Sequence, residues 1–201
     1  MIELKVLQTV RLKGRIKSDD VAESAQEDAA AVADALAAAA ASGFVIEAKT
    51  IRLSPEGRAR LDQLLDEERA YVNKPAIYAA YDEFRTVNAD FKALVSDWQV
   101  RDGAPNTHDD DQYDRAVLDR LGDVHARVEP IIATVAGELR RLEPYSAKLR
   151  AALNKVNSGD TAWLTRPIID SYHTVWFELH EELILAAGLT RQEEARAGHA
   201  Q

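Results

Sequence analysis

Polar side chains that could bind a ligand recur within the apolar helical seams of the second half of the chain. They are Asn88, His125, Arg166, Asp170, His173 and His180. Asp170 and His173 lie three residues apart, and His173 and His180 lie seven apart, so one helix would place these three on the same face. Such a polar layer would bind a metal, an anion or a small effector, or would form a hydrogen-bond network that fixes helix register.

Metal and cofactor chemistry receive little support from the sequence. A di-metal helical bundle normally repeats a Glu-x-x-His pair on two helices, and this repetition is missing. The chain has no cysteine, which excludes disulfides, thiolate zinc sites and a cysteine nucleophile. Glycine-rich phosphate loops, nucleophile elbows and catalytic triad spacings do not occur. We therefore predict no metal, no cofactor and no enzymatic activity for the chain.

Basic residues near the amino terminus form a second candidate site. They are Arg11, Lys13, Arg15 and Lys17, followed by Lys49 and Arg52. The net charge of −9 gives the chain no overall attraction for nucleic acid. Residues 1–60, however, carry nine Lys plus Arg and nine Asp plus Glu, so the net negative charge lies in residues 61–201. DNA binding would therefore depend on a local basic patch.

The elements that would position these basic residues follow from apolar periodicity and capping signals. Gly14 ends a first helical run, Ser18 is a favoured N-cap residue, Gly43 fits a helix C-cap, and Ser54-Pro55 begins another helix. The predicted elements are helices over residues 2–13, 18–24, 26–42 and 54–72, with hairpin strands at 44–46 and 51–53. This order is typical of a winged helix-turn-helix, which we assign to residues 1–73.

The rest of the chain has the pattern of long packed helices, and Pro75 marks the boundary. Apolar residues step by three and four from Ile77 to Trp98 and again from Leu118 to Leu142, with Pro130 expected to kink the second helix. We predict further helices over residues 146–156 and from Trp163 or Pro167 to 188. Residues 75–190 would thus form an antiparallel helical bundle, and residues 191–201 a frayed polar tail. The fold class is mainly α.

Two segments carry resemblances to known families. The stretch SGFVIEAKTIRLSPEGRARLDQLL is similar to the strand, wing and helix of MarR-like winged-helix domains, and this resemblance covers residues 1–72. The segments NADFKALVSDWQVRDGAPN and RPIIDSYHTVWFELHEELILAAGL resemble a helical module of actinobacterial proteins related to or associated with pyruvate phosphate dikinase. The first resemblance implies a transcriptional regulator that binds double-stranded DNA.

In MarR-like regulators the second helix of the pair enters the major groove of DNA. The matching helix here offers Gln26, Glu27, Asp28 and Asp34, and it has no Lys or Arg. Carboxylates that face phosphates are repelled, so reading of base edges by this helix is not expected. If DNA is bound, the wing and the first helix should supply the contacts.

Two functions follow from the sequence. The first is a winged-helix regulatory protein whose helical domain mediates homodimerisation or senses an effector. The alternative is an accessory or interaction module, without DNA binding, of a phosphoenolpyruvate- or pyruvate-using enzyme. No stretch reaches the roughly 18 apolar residues of a membrane span, and the amino terminus alternates charged and apolar residues, unlike a signal peptide. We expect a cytoplasmic protein that does not bind membranes.

Overall fold

The computed structural model describes residues 2–199, which are mainly helical with two short antiparallel hairpins. The chain divides into two compact units, Met1–Val72 and Asn73–Gln201, here called unit 1 and unit 2. In the part of the chain that the structure describes, no helix is both long and apolar enough to cross a membrane.

Unit 1 contains four helices and one hairpin within its described residues. These elements are α1 (Ile2–Lys13), α2 (Val21–Ala25), α3 (Ala29–Ala41), β1 (Val45–Ile46), β2 (Arg52–Leu53) and α4 (Pro55–Arg69). A 3₁₀ turn, Ser18–Asp20, precedes α2. Leu7, Val10, Val21 and Leu61 are fully buried, and their burial supplies the main stabilisation of such a small unit.

The link after α1 pairs with the hairpin. Ile16 forms an antiparallel bridge to Ile51, in which the Ile16 amide donates to the Ile51 carbonyl at 3.2 Å and the Ile51 amide donates back at 2.8 Å. The segment between α1 and the 3₁₀ turn is therefore held beside β2, and both isoleucine side chains are buried.

Helix starts in unit 1 differ from the sequence prediction in two places. Ser18 does not cap α2: it lies inside the 3₁₀ turn, and α2 begins three residues later. The next helix begins at Ala29 rather than at Gln26, because the Asp28 side chain accepts a hydrogen bond from the Ala31 amide at 2.9 Å. Gln26 has a φ of 51° and ends α2 in the left-handed region.

A close backbone contact fixes the start of α4. The Ser54 hydroxyl donates to the Gly43 carbonyl at 2.6 Å and accepts from the Gly57 amide at 2.9 Å, so the predicted cap at Ser54 is confirmed. A Cβ at Gly57 would lie 1.9 Å from the Phe44 carbonyl oxygen. Only glycine allows this approach.

Unit 2 is built around two long helices. Its elements are α5 (Lys74–Gln99), β3 (Val100–Arg101), β4 (Ala104–Pro105), α6 (Asp111–Glu138), α7 (Pro144–Asn157), α8 (Ala162–Thr165), α9 (Tyr172–Ala186) and α10 (Arg191–Arg196). A 3₁₀ turn, Arg140–Leu142, lies between α6 and α7. The hairpin of β3 and β4 lies between the two helical runs predicted from Ile77 to Trp98 and from Leu118 to Leu142, where no strand was predicted.

Aromatic side chains join α5 to α9. The ring of Trp176 lies 5.1 Å from that of Phe84 and 4.4 Å from that of Phe91, between centroids. All three side chains are buried. Such ring pairs add to the stabilisation that their buried area provides. Elsewhere in unit 2, Arg141 forms a buried ion pair with Glu182 of α9.

Three predictions for the second half of the chain are wrong. The last long helix is interrupted between α8 and α9, where Pro167 is followed by Ile168 with a φ of 76°. The helix predicted to reach Leu142 ends at Glu138. Residues 191–196 are not a frayed tail but form α10, which begins with a capping box between Thr190 and Glu193.

Replacement of Gly57 by alanine tests the close contact at the start of α4. We expect Gly57→Ala to lower the free energy of unfolding by about 2 kcal/mol or more, because the methyl group must displace the Phe44 backbone. Urea unfolding of the full chain measures this loss.

Gly122→Ala is the matched control, because an added Cβ at this position in α6 meets nothing within 4 Å. Alanine favours the helix over glycine, so this variant should gain roughly 0.5–1 kcal/mol. Equal effects of the two substitutions would contradict the contact.

Candidate functional site

Four of the predicted basic residues form an exposed strip in unit 1, here called the basic edge: Arg15, Lys17, Lys49 and Arg52. Arg15 precedes Ile16 and Arg52 follows Ile51, so both flank the same end of the antiparallel bridge between these isoleucines. Lys17 is opposite Thr50, next to Lys49 in the hairpin turn. The bridge therefore brings together basic residues from two separate stretches of the sequence.

Arg11 and Lys13 do not belong to this exposed strip. Both lie in the last turn of α1 and are half-buried. Both also interact with other groups of the protein. Their cationic groups are thus less available to an external anion than those of the basic edge.

The exposed face of α3 offers almost no hydrogen-bond donors. The exposed residues within this helix are alanines and Asp34, and those next to it include Asp28, Ser42 and Gly43. A helix that reads base edges needs long donor or acceptor side chains. The structure thus places the acidic and alanine-rich surface on α3, as the sequence indicates, and the cations on the hairpin side.

In unit 2, Tyr81 and Arg85 bind the buried carboxylate of Glu194, and His180 lies beside Tyr81; we call these four residues the carboxylate cluster. Glu194 of α10 is 3% exposed. It accepts from the Tyr81 hydroxyl at 2.6 Å and from two Arg85 nitrogens at 3.1 and 2.6 Å. Although burial raises its pKa, the bonds from Arg85 and Tyr81 prevail and keep it below the ordinary value.

His180 is held neutral beside this carboxylate. Its Nε2 lies 3.3 Å from the Tyr81 oxygen. Because the Tyr81 proton goes to Glu194, Nε2 must carry the hydrogen and donate to Tyr81. Burial, with the nearby charge of Arg191, lowers the pKa of His180 to about 4.

Asn88 bridges α9 and the carboxy-terminal segment. Its Oδ1 accepts from the Trp176 indole at 2.9 Å, and its Nδ2 donates to the His199 carbonyl at 3.1 Å. The polar residue in the α5 seam is thus hydrogen-bonded rather than orphaned, as buried amides usually are.

The other members of the predicted polar layer are placed apart. His125 lies 3.2 Å from the Tyr172 hydroxyl, through Nδ1, and 3.4 Å from Glu129, through Nε2; burial lowers its pKa. Arg166 and Asp170 lie in the segment between α8 and α9. Residues brought together are therefore Asn88, His173 and His180, while His125, Arg166 and Asp170 do not join them.

A cavity of about 220 Å³ lies where α5, α9 and the carboxy-terminal segment meet. Its polar lining includes Asn88, Lys92, His173, His180, Arg191 and His199, and its apolar wall includes Phe91, Trp176 and Phe177. Within residues 2–199, no group of three or more metal-ligating side chains is arranged to hold a metal ion.

Sequence reasoning missed Glu194, Lys92 and Arg191 at this site. Glu194 and Arg191 lie in the segment predicted to be frayed, and Lys92 is one charged residue on the polar side of α5. The sequence does contain a signal for a helix that begins after Thr190. Thr190 and Glu193 form the Thr-x-x-Glu pattern of a capping box, which is found at helix starts.

Comparison of the chain with protein-family models, with curated proteins and with solved structures finds no match.

Removal of the buried carboxylate should release α10. We expect Glu194→Ala to cost about 2 kcal/mol of unfolding free energy, because Arg85 and Tyr81 lose a buried charged partner. Hydrogen exchange of the amides of residues 191–199 should accelerate with it. Glu83→Gln, which removes a charge from an exposed position on the same helix as Arg85, should change neither quantity; unchanged exchange in Glu194→Ala would refute the role of Glu194.

His180 should make folding stability depend on pH. Its folded pKa of about 4 lies below the unfolded value of about 6.5. Between these values the unfolded chain binds the proton and the folded chain does not, so the contribution is complete above about pH 6.5 and is lost as the pH falls towards 4. Urea titrations should show up to about 2 kcal/mol of loss between about pH 7.5 and 5. His180→Gln should reduce this loss, and an unaltered pH slope would contradict the assignment.

Proposed function

We propose that the chain is a MarR-like winged-helix regulator that binds duplex DNA through the basic edge, with unit 2 as a helical dimerisation or effector domain. The order of α1, α2, α3, hairpin and α4 supports a winged helix for unit 1. The bridge between Ile16 and Ile51 adds the third extended segment beside the wing. In unit 2, the long helices pack antiparallel to each other, and this packing supports a helical bundle.

The observation that carries DNA binding is that two exposed arginines, Arg15 and Arg52, flank the bridge between Ile16 and Ile51. Like charges held near each other on a surface are mildly unfavourable in the free protein. Both side chains are exposed, and neither forms an ion pair with a described residue. A polyanion laid along the hairpin would neutralise both, since phosphates accept bonds from several guanidinium groups.

The proposed mode is phosphate binding with weak sequence preference. Contacts to phosphates fix the position of a protein on DNA, whereas contacts to base edges give specificity. The basic edge supplies the first kind. The exposed alanines of α3 do not supply the second kind, apart from apolar contact with thymine methyl groups. Binding should therefore be strongly salt-dependent.

The same face of α3 favours a second candidate function, an interaction module without DNA binding. Small side chains allow close approach of another protein, and Asp28 and Asp34 would repel phosphates. In this alternative the partner is a phosphoenolpyruvate- or pyruvate-using enzyme. Formation of a homodimer is expected under the first function and stays a prediction.

Charge-removing substitutions test DNA binding. The full chain should shift a labelled duplex at low salt, and Arg15→Ala or Arg52→Ala should each flatten the dependence of log affinity on log salt concentration by about 0.9. Fluorescence anisotropy over a series of salt concentrations measures both affinity and slope.

Arg115→Ala, which removes one exposed arginine from α6 in unit 2, is the matched control and should leave the slope unchanged. Asp34→Ala should leave the affinity for DNA unchanged or raise it slightly if α3 makes no favourable contact with DNA. The absence of any shift at low salt would refute the first function. Capture of a purified phosphoenolpyruvate-using enzyme by the same chain would then favour the second.

A further inference from the structure

We propose that unit 2 binds a second copy of the chain through an exposed apolar tip, formed by Pro167 and Ile168. The tip of each copy enters a groove between α6 and α7 of the other, here called the α6–α7 groove. The inference deepens the proposed function, because it names a contact through which unit 2 would act as the dimerisation domain. It rests on that function only in this respect, since association of two chains requires neither DNA nor the basic edge.

The apolar tip is unfavourable in the free protein for two reasons that meet at one residue. The side chain of Ile168 is 100% exposed, so it gains none of the stabilisation that burial provides. Its backbone has a φ of 76°, and a β-branched residue is a genuine outlier at positive φ. Strained residues of this kind cluster at ligand clamps and other functional sites. Insertion of the side chain into an apolar groove would recover the missing burial.

The α6–α7 groove offers such a space beside the last turns of α6. Its volume is about 490 Å³, and its floor consists of one isoleucine and three small residues, namely Ile132, Ala133, Ala136 and Gly137. A Cβ added at Gly137 would meet nothing within 4 Å, so the groove is open above this residue. An engineered cavity of about 150 Å³ accepts benzene in another protein. The groove therefore has room for the side chain of Ile168.

The charges beside the tip and the groove are complementary. Arg166 directly precedes the tip and is exposed, and Glu143 is an exposed residue of the groove lining. Neither side chain forms an ion pair with another described residue. Glu129, the other carboxylate of the lining, is already bound to Arg150. Together with Arg140, the lining carries two carboxylates and one guanidinium, so its net negative charge attracts the cation beside the tip.

The tip and the groove both lie near the same part of α6. Tyr172, four residues after Ile168, has its hydroxyl 3.2 Å from Nδ1 of His125. Nε2 of His125 lies 3.4 Å from the carboxylate of Glu129, which lines the groove. In a dimer of two-fold symmetry the same surface of both chains meets. One such interface can therefore place each tip in the groove of the other chain.

Sedimentation equilibrium of the full chain, without DNA, tests the contact. The wild type should sediment as a reversible mixture of monomer and dimer. Ile168→Asn should raise the dissociation constant of the dimer by about a hundredfold, because a buried isoleucine is worth about tenfold or more in affinity and each dimer buries two. Asparagine adopts positive φ more readily than isoleucine, so the melting temperature of this variant should be unchanged or higher. Weaker association then cannot be attributed to unfolding.

Gly137→Leu tests the groove from the opposite side of the contact. The leucine side chain would occupy the space above residue 137, so the dimer should weaken by at least about tenfold. Gly122→Leu is the matched control, because this helical glycine lies outside the groove and an added Cβ there also meets nothing within 4 Å. Tyr78→Asn, which removes a side chain that is 49% exposed elsewhere in unit 2, is the control for Ile168→Asn. Both controls should dimerise as the wild type does.

Two further measurements test how the surfaces pair. An equimolar mixture of Ile168→Asn and Gly137→Leu should associate more tightly than either variant alone, because the mixed dimer retains one intact tip in one intact groove. Arg166→Glu and Glu143→Arg should each weaken the dimer severalfold, since like charges then meet. The double variant, in which the two charges are exchanged, should restore most of the affinity.

Several results would each overturn the proposal: a wild type that stays monomeric up to millimolar concentration, a dimer unaffected by Ile168→Asn or by Gly137→Leu, or equal weakening by the matched controls. A mixture no tighter than its separate components, or a charge exchange that restores nothing, would overturn it too. Because no DNA is present, failure of this contact is distinguishable from failure of the basic edge in the anisotropy test.

Discussion

The buried carboxylate of Glu194 is the constraint on which the site in unit 2 depends. A six-residue helix such as α10 is not stable by itself in water, because nucleation of a helix is unfavourable. Its position follows from the ionic and hydrogen bonds of Glu194 to Arg85 and Tyr81. Burial of a carboxylate is costly unless the charge is paired and its oxygens are hydrogen-bonded, and both conditions are met here. The contact anchors α10 to α5, while Arg191 pairs with Glu181 of α9 and the His199 carbonyl accepts from Asn88 of α5, so the carboxy-terminal segment lines the cavity.

The sequence predicted the helices of unit 2 better than the contacts between them. Periodic apolar residues identify α5 correctly, and the seam residues Ile77, Phe84 and Trp98 are buried as expected. The helix over residues 191–196 was not predictable from apolar periodicity, since Ala195 is the one apolar residue in it. Which of two adjacent glutamates is buried depends on an arginine 109 residues away. No local pattern contains that information.

The predicted polar layer shows the same limit of prediction from local sequence. Helical spacing correctly predicts that His173 and His180 approach one site, because both are in α9 and line one cavity. The same spacing predicted Asp170 on that helix, but α8 ends at Thr165, Pro167 and Ile168 with its positive φ follow, and α9 begins only after Asp170. His125 lies on α6 and meets Tyr172 instead. A residue's neighbours along one helix were thus predictable, while its partners on another helix were not.

In unit 1 the separation of charge is a consequence of strand pairing. Arg15 and Arg52 are 37 positions apart in the sequence, and the bridge between Ile16 and Ile51 brings their segments together. Mutual repulsion of two exposed guanidinium groups is screened by salt and small, so the burial of the two isoleucines easily outweighs it. The repulsion is nevertheless relieved whenever a phosphate chain lies along the hairpin. The exposed carboxylate of Asp34 on α3 would instead repel phosphates. The proposed contact with DNA therefore lies on the strand side of unit 1 and not on α3.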